Sequence, residues 1–163
     1  LFHALKTVAK KINGVKLILV GEGNRLQEYK SRVANLNLTD HVEFTGWKTS
    51  AEIQNICSES SLAVFPSRIE SFGLSVIEAM ASTIPVVASR GGAIPENIVD
   101  GVTGKLVPVK NSDALAEAII SVLEDPSNAE KMAKSARSAI QQKFSWGQAA
   151  ESTLRLYEET LSK

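Results

Sequence analysis

The sequence predicts an α/β fold: a doubly wound parallel sheet with helices on both faces and a helical tail at the C-terminus. Three observations carry that prediction. Short strands that are apolar almost throughout, Val15–Val20, Leu62–Phe65 and Pro85–Ala88, suit a sheet covered on both sides. They alternate with helical patterns of about ten residues, the rhythm of parallel βα units. Loops follow the strands at the edge where such sheets bind ligands, Gly21–Asn24, Thr45–Lys48, Pro66–Gly73 and Ser89–Glu96.

Each element has its own local reason. Leu1, Leu5, Val8 and Ile12 recur at helical spacing and predict a first helix, stopped by Asn13-Gly14. The strand Val15–Val20 then ends at Gly21-Glu22-Gly23. A helix from about Asn24 turns Leu26, Tyr29, Val33 and Leu36 inward, and Val42–Phe44 is a short strand ended by Gly46. Thr49-Ser50-Ala51-Glu52 is a capping box that opens a helix to about Ser60. Pro66 stops the next strand, and a helix is expected over Phe72–Ala81 before the strand Pro85–Ala88. Asp100-Gly101 turns the chain before Gly104–Val107. Beyond it the pattern is helical, over about 112–163: one helix near Ser112–Glu124, a second opened by Asp125-Pro126, and a third capped by Ser145. The last carries Trp146, Ala150, Leu154, Tyr157 and Leu161 along one face.

Composition bounds the function. The 163 residues suit one domain, and 44% apolar with 22% charged residues is a globular balance. Eighteen basic against eighteen acidic side chains leave no net charge, which argues against a general nucleic-acid binder. The longest uncharged apolar run, Ala79–Ser89, is too short to span a membrane and contains a proline. One cysteine, Cys57, forms no internal disulfide, and with only His3 and His41 a Cys/His zinc site lacks ligands. No signal peptide is visible, and a cytoplasmic setting is expected. Because the first residue is Leu within a helical pattern, residues 1–163 are expected to be one domain truncated at its N-terminus.

The chemistry concentrates between Pro66 and Ala81. Glu70 lies in a loop after a strand, Ser71-Phe72-Gly73-Leu74 turns into a helix, and Glu78 lies one turn inside it. Free N–H groups at such a helix start, with Gly73 removing a side chain from the approach, suit a phosphate. Glu78 among Val76, Ile77, Ala79 and Met80 either takes the two hydroxyls of a ribose or is solvated on the outer face. Glu70 by itself need do no more than favour the helix dipole. The pair Gly91-Gly92 marks a second loop, on its own a plain βα connection. Gly21-Glu22-Gly23 lacks the third glycine of a dinucleotide fingerprint, and neither a P-loop nor a nucleophile elbow is present.

Taken in order, Val20–Gly23, Val42–Gly46, Pro66-Ser67, Glu70–Ala81, Pro85–Ser89, Gly91-Gly92, Glu96 and Asp100–Gly104 resemble the C-terminal half of the retaining glycosyltransferases of group 1, also called family four. Glu70-Ser-Phe-Gly-Leu-Ser-Val-Ile-Glu78 is similar to that family's signature of two glutamates separated by seven residues. The resemblance implies the GT-B fold, whose halves are Rossmann-like, and a domain that binds the nucleotide of a nucleotide sugar, UDP-sugar being the expected type. It implies that Glu78 holds the ribose and that Ser71, Phe72, Gly73 and Leu74 hold the diphosphate. Glu70 would contact the donor sugar as the catalytic carboxylate. Gly21 and Gly23 would lie near the donor, and Phe44 and Trp47 near the base. Transfer would proceed with retention, without metal or other cofactor, because the protein itself supplies the donors that stabilise the leaving group.

The resemblance also sets expectations beyond these residues. The family's Arg and Lys that neutralise the diphosphate precede the first helix, and the acceptor site belongs to an N-terminal domain. The fragment alone is therefore expected to be inactive. Its setting would be cell-envelope polysaccharide synthesis, cytoplasmic or at the inner face of the membrane, with any peripheral association made through the missing half. Thr83 departs from the family, which usually has Gly there. Two alternatives stay open: a nucleotide-sugar epimerase of related fold, and a non-catalytic α/β binding module. Donor sugar, base and acceptor are not legible.

Overall fold

A computed structural model describes residues 1–162 of the chain. Helix α1 (Phe2–Lys11) leads into strand β1 (Leu17–Val20), helix α2 (Leu26–Asn35), a short 3-10 turn (Thr39–His41) and strand β2 (Val42–Gly46). Helix α3 (Ser50–Glu59), strand β3 (Ala63–Phe65), helix α4 (Leu74–Ala81) and strand β4 (Val86–Ser89) follow. A single turn of helix, α5 (Ile94–Asn97), precedes strand β5 (Lys105–Val107) and three helices, α6 (Ser112–Glu124), α7 (Pro126–Lys143) and α8 (Trp146–Leu161).

Every strand pairing is parallel, as the apolar strands predict, but the ladders form two blocks. One pairs β1 with β2, and the other runs β3-β4-β5. Strand β4 shows why the second block is doubly wound. All four of its residues are buried. Val87 points into a cluster with Ala4 and Val8 of α1 and Leu115 and Ile119 of α6. Its neighbours Val86 and Ala88 point the opposite way, among Val76 and Met80 of α4 and Ala136 and Ile140 of α7. Side chains that alternate across the pleat therefore meet helices on both faces.

The first block differs from the expectation that every apolar strand is covered twice. Leu17, Val42 and Phe44 pack with Leu5, Val33 and Leu38, whereas Ile18 and Val20 on the other face are 38% and 41% exposed. Among the described residues only one layer of helices, α1 and α2, lies against β1. The Lys16-bearing run shows no polar alternation, so nothing in its pattern reveals the open face.

The helix starts follow their caps. Thr49 and Glu52 complete the capping box of α3, with both reciprocal bonds present. Asn111, Asp125 and Ser145 cap α6, α7 and α8 through their side chains. Three expectations shift: α2 begins at Leu26 rather than Asn24, α4 begins at Leu74 rather than Phe72, and α5 stands in what reads as a plain loop. In the helical tail, α6 packs on the sheet and α7 on α4 and α6, but α8 buries no residue among those described. Its apolar stripe, from Trp146 (92% exposed) to Leu161, does not cover the chain's own sheet.

Candidate functional site

The loop after β3 is shaped by glycines on two sides. Gly73 takes φ +84°, in the left-handed region, and stands as the N-cap of α4. That conformation is why the helix starts two residues later than the apolar pattern suggests. A Cβ at Gly73 would also lie 3.5 Å from Glu70 Cγ and 3.6 Å from Asn97 Nδ2, so the turn is closed on its inner side. Beneath it, the backbone of Gly91 and Gly92 lies directly against Ser67–Glu70. A Cβ at Gly91 would stand 2.5 Å from Ser67 O, and one at Gly92 would collide with the Glu70 peptide.

The backbone of this turn is left open at its donors. The N–H groups of Ser71, Phe72, Gly73, Leu74 and Ser75 have no acceptor among the described residues; the first donors of α4 to be satisfied are Val76 and Ile77, both bonding Gly73 O. Five successive unpaired donors at a helix start form a concentrated partial positive charge. Ser71, Phe72 and Leu74 are exposed, Gly73 is buried and Glu70 is half-buried. Phe72 is held edge-on against Phe144, at 5.7 Å and 79°.

Glu78 lies on the exposed face of α4, four residues from exposed Leu74, while Val76, Ile77, Ala79 and Met80 form the buried face. Its apolar neighbours in sequence therefore do not bury it. Among the described residues neither Glu70 nor Glu78 forms an ion pair, so both carboxylates keep their acceptor capacity. The Cys57 thiol is pushed up from its ordinary value, first by burial and then by the charge of Glu78.

The second group of expected site residues comes together at the end of β1. Gly21, Gly23 and Phe44 line a cavity of about 280 Å³ together with Glu22, Arg25 and Tyr29. Trp47 does not line it and is 68% exposed, but its N–H donates to Glu22 Oε1 at 3.3 Å, which ties the two loops. The Arg25 guanidinium lies over the Tyr29 ring at 5.5 Å. Among the described residues no hydrogen bond or ion pair joins this cavity to the Glu70–Glu78 turn. Both lie at the carboxyl ends of parallel strands, where ligands of such sheets bind.

Sequence reasoning missed the contribution of α5. The Ala93 N–H donates to Glu70 O at 2.9 Å, and the Asn97 side-chain amide donates to Phe72 O at 2.7 Å. The glycine pair marks the loop, but no sequence signal distinguishes Asn97. Among the described residues no three His, Cys, Asp or Glu side chains cluster closely enough to hold a metal ion.

The model of the family "Glycosyl transferases group 1" matches residues 1–139. Alpha-maltose-1-phosphate synthase of Mycobacterium tuberculosis is 39% identical over 117 residues, 68% of this chain and 30% of that protein. The solved sucrose-phosphate synthase of Thermosynechococcus elongatus matches at TM-score 0.85 and 32% identity, over 99% of this chain and 42% of that one. The Anabaena protein HepE, solved with UDP and glucose, matches at TM-score 0.83 and 27% identity, over 98% of this chain and 44% of that one. The chain thus spans less than half of each of these proteins.

Proposed function

This chain belongs to the group 1 glycosyltransferases, and from that premise we propose that it is the part of such an enzyme that binds the nucleoside-diphosphate sugar. The observation that carries the reading is the run of five unpaired N–H groups, Ser71 to Ser75, set between two unpaired carboxylates. Donors in that arrangement match the oxygens of a diphosphate. Glu78, one turn inside the helix, offers two acceptor oxygens to the vicinal hydroxyls of a ribose. Glu70, at the other end of the run, faces the donor sugar. The cavity lined by Gly21, Gly23 and Phe44 takes the base end of the donor, with Trp47 at its margin.

The reaction that follows breaks the bond between the anomeric carbon and the diphosphate oxygen. It forms a bond from that carbon to an acceptor hydroxyl, with retention. The hydroxyl proton leaves with or through the departing diphosphate, whose growing negative charge the N–H run stabilises in place, without a metal ion. Residues 1–163 alone do not turn over in this reading, because the resemblance puts the diphosphate-neutralising Arg and Lys before the first helix and the acceptor site in an N-terminal domain. A cytoplasmic location, with any peripheral membrane association made through that other portion, goes with the same reading. No described helix is long and apolar enough to cross a membrane.

Calorimetric titration of the chain with UDP, GDP and ADP tests the proposal. One of the three is expected to bind, and Glu78→Ala is expected to weaken it by about tenfold or more, the scale of hydrogen bonds to a charged group. Unchanged affinity would return Glu78 to the role of a solvated surface carboxylate. Acceptor-dependent turnover by the chain equal to that of the full-length enzyme would overturn its assignment as a donor-binding part only.

A further inference from the structure

We propose that Asn97 is a positioning residue for the donor turn: by holding the Phe72 carbonyl it aims the Gly73 N–H into the diphosphate site. The inference rests on the donor-binding reading above and adds to it the means by which the turn keeps its shape.

Among the described residues no peptide is cis, so each carbonyl and the N–H that follows it point in opposite directions. Two peptide units of the turn are tied by their carbonyls to the same short helix. Glu70 O accepts the Ala93 N–H at 2.9 Å, and Phe72 O accepts Asn97 Nδ2 at 2.7 Å. The N–H groups on the far side of those two peptides belong to Ser71 and Gly73. Both lack a protein acceptor, and both face away from the tether. Pinning the carbonyls therefore fixes the direction of the donors.

The two tethers differ in kind. The one at Glu70 is made by backbone and is enforced by the fit of Gly91 and Gly92 against residues 67–70. The one at Phe72 depends on a single side chain. Gly73, at φ +84°, has no Cβ to hold its orientation, and the peptide before a glycine is free to rotate unless something holds it. Asn97 is half-buried and directed at this peptide from α5. That helix is held in turn by Lys143, whose ammonium donates to Glu96 O at 2.8 Å. A donor turn aligned before its ligand arrives does not spend binding energy on ordering itself.

The test separates the diphosphate from the rest of the nucleotide. UDP and uridine are titrated into the wild-type chain and into Asn97→Ala and Asn97→Asp, the second of which keeps the shape and removes the donor. Both variants are expected to bind UDP about five- to tenfold more weakly, the scale of one ordering hydrogen bond, while uridine affinity stays within about twofold. Amide NMR supplies the readout that a merely structural role would not move. Ser71 and Gly73 resonances shift on UDP addition in the wild type, and the Gly73 shift is lost in the variants while core resonances stay in place. UDP affinity equal to wild type in Asn97→Asp, or equal losses for UDP and uridine, would overturn the positioning role. A wild-type chain that binds none of UDP, GDP and ADP would overturn the donor-binding reading, and the role of Asn97 with it.

Discussion

Thr83 closes α4 at φ +59°, a region that a β-branched residue enters at a cost of about 1–3 kcal/mol. The turn is a Schellman motif: the Ile84 N–H reaches Ala79 O at 3.4 Å and the Thr83 N–H reaches Met80 O at 3.2 Å. Glycine is the usual residue at such a position. Thr83 is not without compensation, since its hydroxyl accepts from Arg137 Nη1 of α7 at 3.1 Å, but that bond is exposed. Relief of the strain outweighs the lost bond and the added freedom of a glycine in the unfolded chain, the latter about 0.4–1 kcal/mol. Thr83→Gly is therefore expected to raise the thermal midpoint by about 2–4 °C in a calorimetric scan, the shift about 1 kcal/mol gives a chain of this size. A fall would show that the tie to α7 dominates. At this scale the sequence is unevenly legible. The departure at Thr83 is visible in the letters, whereas its backbone angle is not. The glutamate pair reads directly, but Asn97 carries no local signal because its partner lies 25 positions away and is a backbone carbonyl.

Capped helices are the elements that sequence describes best, because a cap is chemistry among neighbours within a few positions. Thr49 with Glu52, Asp125-Pro126 and Ser145 all start helices where the letters place them. Elements set by remote contacts are not legible in this way. Helix α5 is one turn long and stands against residues 67–72, and the open face of β1 depends on which layers surround it. The capping box also makes a prediction about acid. The Glu52 carboxyl is held down to about 2, from 4.5, first by the Thr49 N–H, then by the Lys48 ammonium and the Thr49 hydroxyl. A depressed carboxyl means that the unfolded chain binds more protons across that window. Its stabilisation is present above about pH 4.5 and is lost as pH falls toward about 2. Glu52→Gln keeps a cap acceptor but removes the titration. Thermal midpoints of wild type and variant are expected to differ at pH 7 and to converge near pH 2. A gap that does not change with pH would show that Glu52 acts by shape alone.

The whole molecule divides its core unequally. Two clusters lie on opposite faces of β3-β4-β5 and reach into α1, α4, α6 and α7, and a third lies between α1, α2 and the single covered face of β1-β2. The proposed donor surface sits at the carboxyl ends of both blocks, so in that reading the sheet carries the site while the helices behind carry the stability. Helix α8 belongs to neither. Phe144, just before it, packs against the α4 cluster and against Phe72, but from Trp146 to Ser162 no side chain is buried. A helix that removes no apolar surface of its own chain from water adds little to that chain's folding. Ending the chain after Ser145 is therefore expected to move the thermal midpoint by no more than about 2 °C, the range of surface changes away from the core. Limited proteolysis of the full chain is expected to cut first within 146–161 and to leave a resistant body that retains Phe144. Ending it before Phe144 instead removes the ring that braces Phe72, and should weaken UDP binding as well as stability. A large loss of stability from the first truncation would place α8 on the sheet after all. A loss of UDP binding without loss of stability would connect the helix itself to the donor turn.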